Sequence, residues 1–185
     1  MRVISGYLKG RIIKGYKIIG IRPTIDRIKE SLFAMINNQI KDAVILDLFA
    51  GSGSLGIEAI SNGAKQVYFV DHNLEAIKNI KSNINELGII DKSIIMQKDY
   101  YVALEYFIRE KIKFDLIFLD PPYQSNYLNT ILEYIVTNNL LNDNGYVICE
   151  FSNEALNNEY DKLKLIKSKK YGDKKVNIYK LIIIS

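Results

Sequence analysis

From Val44 onward, predominantly apolar runs alternate with stretches whose apolar residues recur every three or four positions. The runs 44–49, 67–70, 94–96, 114–119 and 146–151 predict strands buried on both faces. Between them, 55–62, 73–87, 100–111 and 127–138 predict helices, with Leu74, Ile77, Lys81, Ile84 and Leu87 along one face of the second. A further helix is expected over 24–41, capped by Thr24, with Asp26 in its first turn and Ile25, Ile28, Leu32, Met35, Ile36 and Ile40 as its apolar stripe. Residues 1–22 alternate only loosely and hold Gly6, Gly10, Gly15 and Gly20, which predicts short strands and turns. At the other end, 163–169 and 175–184 read as two strands joined at Tyr171-Gly172-Asp173. Strand–helix alternation at this spacing gives an α/β fold with a doubly wound, mostly parallel sheet. It carries a C-terminal antiparallel hairpin and a small N-terminal β-rich extension. With no linker or repeat in view, residues 1–185 read as one domain: a basic β extension (1–22), a helix (24–41) and a core (44–185).

Composition narrows the class. At 185 residues, 48% hydrophobic and 25% charged, the chain can bury a full core and has the balance of a globular protein. No apolar run is long enough to cross a bilayer as a helix, and the opening residues lack the pattern of a signal peptide, so a cytoplasmic location is expected. One cysteine, Cys149, and one histidine, His72, leave no zinc cluster and no internal disulfide to expect. The net charge of +4 conceals an uneven distribution. Residues 1–22 carry six bases and no acid, and residues 161–185 carry eight lysines against Asp161 and Asp173; the middle holds 11 bases against 19 acids. If the two ends meet in the fold, they form a basic face suited to a phosphate backbone, with Lys9, Arg11 and Lys14 among its members.

The segment Leu46-Asp47-Leu48-Phe49-Ala50-Gly51-Ser52-Gly53-Ser54-Leu55-Gly56 leaves a buried strand and enters a helix. Gly51, Gly53 and Gly56 satisfy a dinucleotide fingerprint, and Asp71 follows at the end of the next strand, where an acid meets ribose hydroxyls. This pattern indicates an adenosine cofactor and does not by itself separate NAD from S-adenosylmethionine. Asp47, inside the strand end, suits the methionine part of S-adenosylmethionine. Asp99, after the third strand, is placed to accept from the adenine amine. Phe49, Ala50, Ser52, His72 and Tyr100 complete the expected cofactor set, and no metal is expected.

The fourth strand ends in Asp120-Pro121-Pro122-Tyr123, on the edge that carries the glycines. Consecutive prolines make a rigid turn that donates no amide hydrogen. That leaves the Asp120 carboxylate and the Pro121 carbonyl as acceptors facing one cleft. An exocyclic base amine is a poor nucleophile, because its lone pair is delocalised into the ring. Two acceptors on its hydrogens favour the pyramidal form in which that lone pair is available. Tyr123 offers a face for stacking the base, which must be unpaired or flipped to arrive. Asp120, Pro121, Pro122 and Tyr123 are therefore the expected catalytic residues, and the choice falls on S-adenosylmethionine.

With these residues in place, the chain resembles the bacterial 16S ribosomal RNA (guanine(966)-N2)-methyltransferase family, of Rossmann-like class I fold. The resemblance runs through the opening Arg2-Val3-Ile4-Ser5-Gly6-Tyr7-Leu8-Lys9-Gly10-Arg11 and through Arg22-Pro23-Thr24-Ile25-Asp26-Arg27-Ile28-Lys29-Glu30-Ser31-Leu32-Phe33. It continues through 47–56, 120–123 and Lys170-Tyr171-Gly172-Asp173. It departs at Ser54, where many members have Ala, and at Lys29, where Arg is usual. The resemblance implies a monomeric enzyme acting on N2 of one guanine in 16S rRNA, within the small subunit or its precursor. It implies Arg22 and Thr24 beside the cofactor, and rRNA contacts from Arg2, Ser5, Gly6, Lys9, Arg11, Arg27, Lys170 and Tyr171. Alternatives are a DNA adenine-N6 methyltransferase, for which 185 residues leave no target-recognition domain, and a glutamine methyltransferase, which normally has Asn at the place of Asp120. An RNA-binding module without catalysis and an NAD-dependent oxidoreductase are the remaining ones.

Overall fold

The apolar runs become the centre of one sheet. The structure, a computed structural model, describes residues 1–15, 23–122 and 127–183, with no side chains for 23–25. Strands β1 (Val44–Asp47), β2 (Gln66–Asp71), β3 (Ser93–Gln97), β4 (Phe114–Leu119) and β5 (Leu141–Phe151) pair in parallel. Strands β6 (Glu159–Tyr160), β7 (Leu163–Tyr171) and β8 (Lys174–Leu181) extend the sheet antiparallel, giving the order β3-β2-β1-β4-β5-β8-β7-β6. The helices are α1 (Pro23–Ile40), α2 (Ser54–Ser61), α3 (Leu74–Leu87), α4 (Tyr100–Arg109) and α5 (Leu128–Thr137).

Side chains alternate across each strand, so each strand feeds two cores. Ile45, Phe69, Phe118, Ile148 and Val176 pack against Leu32 and Ile36 of α1, Ile57 of α2 and Ile80 of α3. Their neighbours Leu46, Val70, Ile117, Leu119 and Cys149 face the opposite way, onto Phe107 of α4 and Ile131 of α5. Strand order reverses between β1 and β4, which opens a crevice beyond their carboxyl ends.

Several local readings change. Thr24 stands in the first turn of α1 rather than at its cap, because Pro23, with its preset φ and missing amide hydrogen, takes the first helical position. On α3 the buried face is Ala76, Ile77, Ile80, Asn83, Ile84 and Leu87, while Leu74 and Lys81 point to solvent. Asn73 caps that helix, its side chain accepting from the amides of Glu75 and Ala76. β3 is half-buried rather than enclosed, since it forms the edge of the sheet. β5 begins at Leu141, five residues before the apolar run, and passes through Asn144 at φ 61. Two residues, Gly172 and Asp173, close the β7–β8 hairpin, with Gly172 at φ 63.

The N-terminal arm folds back on itself through an antiparallel bridge between Arg2 and Ile12. Its anchor is Glu58 of α2, fully buried, which accepts from the amides of Ile4 and Ser5 and from Ser5 Oγ. Lys29 of α1 pairs with Glu58 at 3.1 Å and donates to the Arg2 carbonyl, with 3% of its surface exposed. Gly6, at φ +75, passes so close to α2 that a Cβ there would sit 1.9 Å from the Ser61 carbonyl oxygen. Farther along, Lys14 pairs with Glu86, and Arg11 donates to the Glu86 carbonyl near the end of α3. The hairpin docks on α1 as well, through Tyr171 Oη and Lys169 Nζ to Ser31 Oγ. Both basic ends of the chain therefore come to rest on one helix, two residues apart.

Candidate functional site

The loop after β1 is shaped by glycine. Gly51 at φ +54 and Gly53 at φ +79 adopt left-handed backbone that side chains disfavour. A Cβ on Gly51 would meet nothing nearer than the Phe49 carbonyl at 3.9 Å, so the loop's open side faces free space. Gly56 differs: a Cβ would lie 2.2 Å from Phe69, so its bareness serves the packing of α2 on β2.

Beneath the loop lies a cleft of about 520 Å³. Asp47, Phe49, Ala50, Gly51 and Ser52 form its floor. Asp71 and His72 stand on one side, Asp120 and Pro122 on another, and Met1 and α1 residues Ile28, Lys29 and Leu32 at the rear. Asp47 is 1% exposed and accepts from the Gly56 amide at 3.1 Å. Burial pushes its carboxyl up to about 7; the Gly56 amide opposes the rise and the charge of Asp71 adds to it. Asp71 is fixed more firmly, Oδ2 accepting from the Gly51 amide and Oδ1 from the Asn73 amide, both at 2.8 Å. Each oxygen keeps a lone pair for a further donor. His72 is exposed, its Nδ1 3.7 Å from Asp71. Ser54 Oγ, on the cleft wall, is buried without a protein partner.

A smaller recess of about 120 Å³ adjoins the cleft, sharing Phe49, Asp71, His72 and Pro122 with it. Tyr100 and Tyr127 stack there at 8° with centroids 5.2 Å apart, and Phe49 leans against both. Asp99 lines this recess, yet it also caps α4, accepting from the Tyr101 amide at 2.9 Å.

Asp120 follows β4 directly, on the face of the sheet shared with Phe118. Burial and the neighbouring charge of Glu150 push its carboxyl well above the usual carboxylate range, while Lys174 pulls against them. Glu150 near the end of β5 and Lys174 at the start of β8 form an ion pair in the same cleft. Neither was expected from the sequence. Glu150 had a signal of the right kind, an acid closing a buried strand on the edge that holds Asp47, Asp71 and Asp120. Lys174 had none, since only the hairpin's return brings it there.

Of the residues expected at the site, Asp47, Phe49, Ala50, Gly51, Ser52, Asp71, His72, Asp120 and Pro122 share the main cleft, while Asp99 and Tyr100 share the recess. Ser5 and Gly6 are turned onto α2 instead, and Arg11 onto α3. Arg2, Lys9, Arg27 and Lys170 are exposed, and Tyr171 is half-buried against α1. Arg22 and Tyr123 lie outside the described residues, as does the side chain of Thr24. Among the described residues no cluster of metal-ligating side chains is present, and no helix is long and apolar enough to cross a membrane.

The groups present fit S-adenosylmethionine. A half-satisfied buried carboxyl at Asp47 suits an ammonium, two anchored oxygens at Asp71 suit ribose hydroxyls, and an aromatic recess with Asp99 on its wall suits adenine. The unpartnered Ser54 hydroxyl offers one more contact.

A family model described as "Conserved hypothetical protein 95" matches residues 1–180. The chain is 39% identical over 181 residues to the "Putative rRNA methyltransferase YlbH" of Bacillus subtilis, covering 97% of this chain and 98% of that one. It is 31% identical over 150 residues to the "Ribosomal RNA small subunit methyltransferase D" of Escherichia coli K12, covering 81% and 71%. Among solved structures, "Putative methyltransferase yhhF from Escherichia coli" superposes with a TM-score of 0.85 at 26% identity, over 98% of this chain and 97% of that one.

Proposed function

The chain belongs to the conserved hypothetical protein 95 family, and from that premise we propose that it transfers a methyl group from S-adenosylmethionine to the exocyclic N2 amine of a guanine in 16S rRNA of the small ribosomal subunit. Ribosomal RNA methylation is the activity named for its relatives. The alternative of a DNA adenine-N6 methyltransferase finds no support in them. The observation that carries the reading is Asp120 and Pro122, just past the end of β4, in one cleft with Asp47, Asp71 and Gly51 of the glycine loop.

When bound, S-adenosylmethionine supplies an electrophilic methyl group and leaves as a neutral thioether. Asp47 faces its ammonium, Asp71 its ribose, and Asp99 with Tyr100 and Phe49 its adenine. Asp120 and the Pro121 carbonyl take the two hydrogens of the base amine and orient its lone pair into the cleft. As the new N–C bond forms, the nitrogen must shed a proton, and a carboxylate of raised proton affinity is the nearby group suited to accept it. Pro122, exposed on the rim of both the cleft and the recess, separates the base from the adenosine. Tyr123 offers a face for the base to stack on, and the family resemblance implies Arg22 and Thr24 beside the cofactor. Residues 1–185 act as one methyltransferase domain, monomeric and cytoplasmic, where small subunits are assembled.

The test is to incubate the protein with tritiated S-adenosylmethionine and unmethylated small subunits, then map the label. N2-methylguanine at a single rRNA position is expected. Asp120→Asn should lower turnover by at least about 100-fold and leave calorimetric cofactor affinity within about twofold. Label on adenine, or on DNA in preference to subunits, refutes the reading.

A further inference from the structure

Guanine and adenine both carry an exocyclic amine, and Asp-Pro-Pro-Tyr suits either. What separates them is the neighbouring ring nitrogen: guanine donates N1–H beside its amine, whereas adenine presents a bare acceptor there. A site that selects guanine therefore needs a second acceptor next to Asp120, followed by a donor for O6.

The sheet places those groups in that order. Asp120 continues the face of Phe118, Glu150 the face of Ile148, and Lys174 the face of Val176; Phe118, Ile148 and Val176 all belong to the core under α1. Glu150 pairs in register with Val176, so Lys174 is its diagonal neighbour on that face, and the two side chains form an ion pair. Adjacent strands β4, β5 and β8 thus carry an acceptor, an acceptor and a donor into the cleft, stepping away from the glycine loop on β1. The cofactor groups assigned above occupy β1, β2 and the end of β3, apart from the strands that carry Glu150 and Lys174.

We propose that Glu150 is a specificity-determining residue: paired with Lys174, it accepts from guanine N1–H while Lys174 meets O6 and Asp120 takes the N2 amine. Adenine offered to the same three groups places its N1 lone pair against the Glu150 carboxylate. A buried polar group left facing a like group is what gives hydrogen-bonding sites their discrimination. This assignment rests on the guanine-N2 reading of the site.

The experiment uses small subunits reconstituted with rRNA carrying 2,6-diaminopurine at the target position. That base keeps the 2-amine, replaces N1–H by an acceptor and replaces O6 by an amine. The native protein should methylate guanine at least about 100-fold faster than diaminopurine. Glu150→Gln, whose amide can donate to the bare N1, should narrow that ratio at least tenfold, a change that general loss of folding or cofactor affinity does not produce. Equal use of both bases by the native protein overturns the proposal without any variant. So does a Glu150→Gln protein slowed equally on both. A native protein inactive on guanine in unmodified subunits refutes the activity reading itself, which is a different result from activity without discrimination.

Discussion

Asp47 is a carboxyl with almost no water around it, held by one amide hydrogen bond. Its ordinary value of 3.8 rises to about 7 in the fold, from burial first. Between these values the native state keeps a proton that the unfolded chain has released. Stability therefore falls as pH rises from about 4 to 7, by about 4 kcal/mol in all. Asp47→Asn removes that cost: it should raise the melting temperature at pH 8 and converge on the native protein near pH 4. The same change removes the charge that meets an ammonium. In the native protein, cofactor affinity should climb from pH 6 to pH 8, while Asp47→Asn binds weakly and nearly without pH dependence. Calorimetry at three pH values checks both, and flat affinity in the native protein removes Asp47 from the cofactor shell. Stability and function oppose each other at this one side chain.

Among the elements, the N-terminal arm is fastened by an enclosed ion pair in addition to Val3, Leu8 and Ile13, which it buries in the core under α1. Lys29 and Glu58 are enclosed together, and Glu58 also accepts from the Ile4 amide, the Ser5 amide and the Ser5 hydroxyl. Removing one partner strands the other, so Lys29→Met should cost about 3–5 kcal/mol and expose the arm to limited proteolysis. Adding Glu58→Gln should return part of that stability, a coupling that a double-mutant cycle reads directly. Additive losses would mean that the pair does not fasten the arm. The central strands, by contrast, were legible in the sequence because their burial is written as runs that are apolar but for single acids such as Asp47, Asp115 and Glu150. The start of β5 was not, because Asn142-Asp143-Asn144-Gly145 has the composition of a turn. The face of α3 was misread because Asn83, a polar residue, is buried to grip the Lys14 amide at 2.9 Å, while Leu74 stays outside. Asp47, Asp71 and Asp120 could be found because each closes a strand on one edge. The Lys29–Glu58 and Glu150–Lys174 pairs join residues far apart in sequence, and no local pattern announces them. Asp99 shows the limit of counting strand-end acids, since part of its carboxylate is spent on capping α4.

Across the whole molecule, α1 brings the two basic ends together, gripping the arm through Lys29 and the hairpin through Ser31. Arg11 and Lys14 are already engaged on α3, which leaves the exposed Lys9, Lys167 and Lys170 as better candidates for phosphate contacts. Replacing these three by Ala should weaken small-subunit binding and lower the slope of log affinity against log salt by about 2–3, since each lost contact releases roughly one counterion fewer. Filter binding over a series of salt concentrations measures this, and an unchanged slope places the RNA elsewhere. A different consequence follows from Cys149. It is the chain's one cysteine, enclosed in β5, and burial pushes its thiol well above the ordinary range. A thiol that neither ionises nor meets solvent is inert to maleimides. A cysteine introduced at an exposed hairpin position such as Lys170 would then be the single reactive one, so a fluorophore can report the approach of rRNA to that hairpin while the native Cys149 stays in place.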